Sequence, residues 1–291
     1  NFVVRSEADL LLASGGNNIR MVIDANSRIS LSNNDGGADN TIFGFLAGAS
    51  IGSGHDRNTL IGDYAGNAVQ GDSNTIIGRS AGKAITASNN TIVGDSALSV
   101  ATTATENVVM GGDAMSGVPA SVALTGAVAI GQKALRGTAS TTTGANYSVA
   151  LGYEALLNAT TGSGNTALGT QAMGLGIVTG ANNVALGNGA GYNMTSAHSN
   201  VIIGKDTNPS ANTGSNQTVI GYNTTGQADN SVVLGNASVT DVYMAQDSGA
   251  TVHADYVLSQ GNQNHVANTM SSPYYRFDGT DHIIITGTYA Y

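Results

Sequence analysis

A glycine returns about every 17 residues along most of this chain, each time after the same kind of neighbours. It falls at Gly44, Gly62, Gly78, Gly94, Gly111, Gly131, Gly152, Gly169, Gly187, Gly204, Gly221 and Gly235, twelve copies separated by 14 to 21 residues. The clearest units read Asn58-Thr-Leu-Ile-Gly62-Asp-Tyr-Ala65-Gly66 and Asn74-Thr-Ile-Ile-Gly78-Arg-Ser-Ala81-Gly82. So short a unit cannot hold a helix pair, whose repeats begin at about 33 residues. It suits one coil of a β-solenoid, with a strand ending at the glycine and a weaker second strand around Val69, Ile85, Val118 and Met194. Glycine supplies the turn conformation that other residues resist. Parallel stacking at ~4.8 Å per coil gives the eleven steps a length of roughly 50 Å.

Composition narrows the class further. Apolar residues make up 41% and charged residues 10% of the chain, the reverse of a disordered sequence. Gly is 40 of 291 but follows no three-residue period, so collagen is excluded. There is no Cys, hence no disulfide scaffold. No apolar run approaches the ~18 residues of a membrane helix. A net charge of −9 with only 10 Lys and Arg argues against nucleic acid as a partner. The expectation is an all-β chain: a repetitive β-roll of ~17-residue coils.

A strand alternates its faces with period two. The residue just before each glycine is large and apolar: Phe43, Ile61, Ile77, Val93, Met110, Ile130, Leu151, Leu168, Leu186, Ile203, Ile220 and Leu234. The residue two before is apolar as well: Ile42, Leu60, Ile76, Ile92, Val109, Ala129, Ala150, Ala167, Ala185, Ile202, Val219 and Val233. Strands apolar on both faces must be covered on both, and one narrow roll has one interior. The second face therefore calls for other copies of the chain. We expect a parallel homotrimer in register; a wide monomeric solenoid with two internal layers is the alternative. The uniformly large stripe is expected inside the roll. The stripe from Ile42 to Val233, which shrinks to Ala between Ala129 and Ala185, is expected at the threefold axis.

Asn stands four residues before the glycine at Asn40, Asn58, Asn74, Asn90, Asn107, Asn165, Asn183 and Asn200. Stacked amides can form a hydrogen-bonded ladder, and Asn also favours turns. Ala three after the glycine (Ala47, Ala65, Ala81 and equivalents) reads as a small residue at a crowded corner.

The Ser148-Val-Ala-Leu-Gly152 and Asn183-Val-Ala-Leu-Gly187 units resemble the head repeats of trimeric autotransporter adhesins, although that unit is shorter. The longer Asn-Thr-x-x-Gly-x-x-Ala form is more similar to bacteriophage tail fibres. Phe2-Val-Val-Arg-Ser6, Asn18-Ile-Arg-Met-Val-Ile-Asp24 and Asp241-Val-Tyr-Met-Ala245 resemble segments flanking such repeats. The chaperone domain that often ends those fibres has no counterpart here. The resemblance implies a homotrimeric shaft on a virion tail or otherwise outside the cell. Its partners would be two identical chains, tail proteins, and a host-surface glycan or protein at the C-terminal tip. A bacterial surface adhesin is the alternative, and a glycan-degrading tailspike the third.

The organisation expected is a β-hairpin or strand segment over 1–39, the roll over 40–239, a further β segment over 240–260, a linker over 261–272, and 273–291 as the start of a lectin-like sandwich or a plain hairpin. The opening at Asn1 reads as the interior of a longer protein. Tyr274, Tyr275 and Phe277, beside Asp278, Asp281 and His282, form the only aromatic cluster and are the receptor-binding candidates.

Enzyme signatures are not found. The three Glu are dispersed, whereas glycan cleavage needs paired carboxylates. No nucleophile elbow or phosphate loop appears. His55, His198, His253, His265 and His282 show no metal-ligand spacing. Residues 33–40 and Gly52–Leu60 faintly resemble calcium loops, but Asp is not kept from copy to copy. No cofactor is expected. Tyr64, Tyr153 and Tyr222 read as isolated surface or trimer contacts. The longest steps, with extra residues at Val118–Thr125 and Gly137–Asn146, are expected to bulge as loops.

Overall fold

The computed structural model describes residues 10–13, 19–23, 29–31, 39–137, 145–176 and 178–243, with side chains from residue 39 onward. The chain divides into two units, Asn1–Val242 and Tyr243–Tyr291, and the second lies, apart from Tyr243, outside the described residues. Near the start, β1 (Leu10–Ala13), β2 (Ile19–Ile23) and β3 (Ile29–Leu31) form an antiparallel sheet in sequence order. Its register shifts between Leu12 and Ala13. The expected hairpin is thus a three-stranded meander.

The repeat is a parallel β-solenoid. Each copy gives one three-residue strand, from β4 (Thr41–Phe43) to β15 (Val232–Leu234), and the twelve strands pair in sequence order in one sheet. Equivalent residues pair throughout, as in Thr59↔Thr75, Leu60↔Ile76 and Ile61↔Ile77. The longest steps do not break the register: Val109 pairs with Ala129, and Ala129 with Ala150.

The repeat glycine is required twice over. From Gly44 to Gly221 its φ lies between +123° and +151°, where L side chains are strained. A Cβ on Gly78 would also lie 2.6 Å from the Gly94 carbonyl oxygen, so the column stacks backbone on backbone. Most coils have further left-handed corners at residues two and four after the glycine and five before it, such as Tyr64, Leu98 and Arg57 at φ +56°, +45° and +60°.

These sharp corners replace the expected second strand. Val69, Ile85, Val118 and Met194 are buried, but the chain bends there and forms no regular strand among the described residues. Coil-to-coil bonds persist on that side, as from the Ala68 amide to the Lys83 carbonyl (2.9 Å). The Ala corner is fully enclosed at Ala65, Ala81, Ala97 and Ala114. The insertion at Val118–Thr125 folds inward rather than bulging freely, with Val118, Val122 and Leu124 buried. Within Gly137–Asn146, residues 138–144 lie outside the described set.

The facing of the two apolar stripes is the reverse of the expectation. Leu60, Ile76, Ile92, Val109, Ala129, Ala150, Ala167, Ala185, Ile202 and Val219, two before the glycine, have no solvent exposure, while Ile42 and Val233 at the ends pack partly buried against them. That whole stripe is the interior of a single roll, not a surface for other copies. The residue just before the glycine points outward, from 38% exposed at Ile220 to 62% at Phe43 among its exposed members.

The physical reason is that the far wall of the roll varies inversely with the inward stripe in most coils, Leu98 beside Ile92 marking the change from one arrangement to the other. Four residues after the glycine, Gly66 and Gly82 face large partners: a Cβ on Gly82 would lie 3.0 Å from both Ile76 and Ile92. Where the inward residue shrinks to Val109, Ala129, Ala150 and Ala167, that position carries buried Met115, Leu135, Leu156 and Met173. At Ala185 and Gly191 both walls are small, and Met194 fills the space, its sulfur 2.6 Å from where a Gly191 Cβ would stand. Interiors close-pack by total volume, so neither stripe need be uniform.

Candidate functional surface

Two ladders of side chains stitch the coils on one edge of the sheet. In the first, the Asn74 backbone N–H and Nδ2 both donate to the Asn58 Oδ1 (3.0 and 3.1 Å), and Nδ2 also donates to the Ala87 carbonyl in the next coil (2.9 Å). The pattern recurs at Asn90, Asn107, Asn183 and Asn200. These amides are buried and fully used, so ladder and turn chemistry act together. Gln217 continues the column by donating its backbone N–H to Asn200 Oδ1 (2.9 Å).

The second ladder stands six residues before the glycine and runs the other way. The Asp56 N–H donates to Asp72 Oδ1 (3.0 Å), the Asp72 N–H to Ser88 Oγ (2.9 Å), and the Ser215 N–H to Asp229 Oδ1 (2.8 Å). Sequence reading missed it because the residue type changes. Its signal is a short oxygen-bearing side chain at a fixed offset. It gives Asp72 a structural role: its Oδ1 accepts the Asp56 N–H of the preceding coil, and its Oδ2 pairs with Arg57 (3.5 Å). Among the described residues no three His, Asp or Glu side chains converge as a metal site. His55 lends its carbonyl to Asn40 Nδ2 (2.8 Å), and His198 is exposed. His253, His265 and His282 lie outside the described residues.

The outward sheet face is the largest continuous chemical feature on the roll. It carries the large residues just before the glycines, flanked by the Thr or Val two positions earlier, including exposed Val184 and Val232. Twelve coils at ~4.8 Å make this strip roughly 50 Å long. With two side-chain rows about 7 Å apart it covers on the order of 500 Å², the size of the largest patch on a typical monomer, which is often functional.

Polar corners border the strip just after the glycines. Glu154 is the most enclosed charged group there, its side chain 14% exposed. Gln171 Nε2 donates to its Oε2 (3.0 Å), Tyr153 also bonds to it, and Lys133 Nζ lies 3.6 Å away. Together they hold the carboxyl below its ordinary range, and the same bond pushes the Tyr153 hydroxyl up. Asp229 is also lowered, by the Ser215 backbone N–H and then by Gln217. The tyrosines are not isolated. Tyr64 meets Phe45 edge-on at 5.8 Å with Lys83 5.1 Å from its ring, and Lys205 lies 5.6 Å from the Tyr222 ring.

Among the described residues no helix is long and apolar enough to cross a membrane. The receptor candidates Tyr274, Tyr275 and Phe277 lie outside the described residues. No family model, curated protein or solved structure compared with the chain matches it.

Proposed function

We propose that this chain is a structural shaft: a segment of a virion tail fibre in which three parallel copies join their outward sheet faces around a common axis and space a host-binding tip from the particle. The observation that carries the reading is the apolar strip from Phe43 to Leu234, which a single roll leaves open to water. Burying ~500 Å² per chain at about 25 cal/mol per Å² provides on the order of 12 kcal/mol of gross stabilisation for each copy. A stiff rod follows from the stacked backbone and side-chain ladders. Light scattering of the purified chain tests the assembly: the expected mass is three chains, and a monomeric mass at micromolar concentration overturns it.

A second reading, a bacterial surface adhesin whose roll itself binds host material, is favoured by one feature. Phe45, Tyr64 and Lys83 form an aromatic and cationic patch on the roll itself. Adsorption to host cells that is lost on Tyr64→Ala and retained on Tyr274→Ala selects this reading; the opposite pattern selects the tail fibre.

A further inference from the structure

We infer that the roll is two cooperative blocks joined at a weak plane in coils six and seven, not one uniform rod. The amide column is the basis. It runs unbroken from Asn40 to Asn107 and resumes from Asn165 to Gln217. Between them the position is Ala127 and then Ser148, both buried.

Ala127 still donates its backbone N–H to Asn107 Oδ1 (2.9 Å), and the Asn165 N–H still reaches Ser148 Oγ (3.2 Å). What these two coils lack, although the second ladder still joins them through the Thr125 N–H and Asn146 Oδ1 (2.9 Å), is a side-chain amide in this column. Elsewhere its Nδ2 ties each coil to the next: Asn58 to the Gly71 carbonyl (2.9 Å), Asn90 to Ala104 (2.8 Å), Asn107 to Leu124 (3.0 Å), Asn183 to Ala197 (2.7 Å). Alanine offers no donor to the equivalent Ala145 carbonyl, and serine has a shorter reach. Chained amides polarise and reinforce one another, so a gap also weakens its neighbours.

Two further features fall at the same place. The steps into these coils are the longest, 20 and 21 residues, so more chain must be ordered per coil. The inward stripe is Ala129 and Ala150, leaving the interior to Leu135 and Leu156 at φ +47° and +50°, an arrangement that continues one coil further in Ala167 and Met173. The sheet itself is continuous through the plane, which makes it a preferred opening site rather than a gap. In a stacked repeat, stability is a sum of coil and nearest-neighbour contributions, and opening starts where a neighbour contribution is smallest.

Hydrogen exchange on the full chain tests the inference. Strand amides around Val128–Ile130 and Val149–Leu151 are expected to exchange about tenfold faster than those around Thr75–Ile77 and Val201–Ile203, the size of one or two missing hydrogen bonds. The double substitution Ala127→Asn with Ser148→Asn completes the column and is expected to bring the four regions together. Asn90→Ser, which opens a new gap in the first block, is expected to create fast exchange around Thr91–Val93, and it decides the matter if the double variant fails to fold. Equal protection in all four regions of the unaltered chain overturns the inference. So does a folded double variant in which the middle remains fast, or an Asn90→Ser variant with unchanged protection.

Discussion

Neighbouring residues Ile76 and Ile77 differ only in the direction they face, and one charge at each separates the fold of the chain from its assembly. Ile76 has no exposure and touches the volume claimed by Gly66 and Gly82. Ile76→Asp removes about 2–3 kcal/mol of apolar burial and places a carboxylate in a dry interior at a cost of several kcal/mol more. The sum rivals the 5–15 kcal/mol that holds a typical domain together. Ile77→Asp faces outward, so a single roll loses only about 1 kcal/mol. In a parallel trimer, however, it sets three carboxylates at one level of the shared axis, each needing desolvation that no cation there offsets. Circular dichroism in a denaturant series reads the first effect, and light scattering under native conditions reads the second. The expected result is loss of strand signal for Ile76→Asp, and a folded chain of one-third the mass for Ile77→Asp. An Ile76→Asp protein with the unaltered denaturation midpoint would refute the burial argument. A folded Ile77→Asp protein that kept a three-chain mass would refute the assembly.

Gly78→Ala, with φ +133° and its Cβ 2.6 Å from a carbonyl oxygen, is expected to lose more than about 3 kcal/mol in thermal or chemical unfolding. Gly54→Ala, where nothing lies within 4 Å at φ +82°, should lose only about 1 kcal/mol. Gly82→Leu is expected to overpack the roll by about 1–3 kcal/mol, and adding Ile76→Ala should recover part of that loss, because the pair then copies Leu156 over Ala150; a strictly additive double-mutant cycle would contradict the volume matching. Glu154 has a lowered pKa, so its stabilisation is present above the ordinary value of 4.5 and is lost as pH falls through the lowered one. The stability difference between the unaltered chain and Glu154→Gln should therefore shrink below pH 4.5 in an acid titration followed by circular dichroism.

The period, the strand ending at each glycine and the amide column were legible because each is enforced by backbone geometry. The glycine column admits no Cβ, and the Asn column satisfies the same backbone groups wherever Asn is kept. The facing of the stripes was not legible from the strand alone. Ile76 and Ile77 are identical letters, and what distinguishes them lies six residues on, in Gly82, and nine on, in Ile85. The shrinkage to Ala between Ala129 and Ala185 looked like a widening axis, whereas it is answered in most of those coils by a larger residue on the opposite wall. The second strand was misread for a related reason: Val69 and Ile85 are apolar because they fill the interior, and the left-handed corners before them turn the chain too sharply for a ladder. An outward apolar strip was expected, but on the residues two before the glycine instead of those just before it.

The inverse matching of the two walls restricts how such a gene can change length. A coil can be copied or deleted without altering the pitch, since every level repeats the same backbone bonds. Coils are nevertheless not interchangeable. One carrying Gly82 packs against Ile on its own level and the next, as at Ile76 and Ile92, while one carrying Leu156 packs beside Ala150. Unequal crossing-over between two Gly-type copies would yield a longer rod at once. A crossover joining a Gly-type half-coil to a Leu-type half-coil puts more volume at the seam, as Leu98 does beside Ile92, and calls for the next level to shrink, as it does to Val109. Recombination among the copies should thus be channelled within runs of like coils, and changes of shaft length should accumulate as blocks.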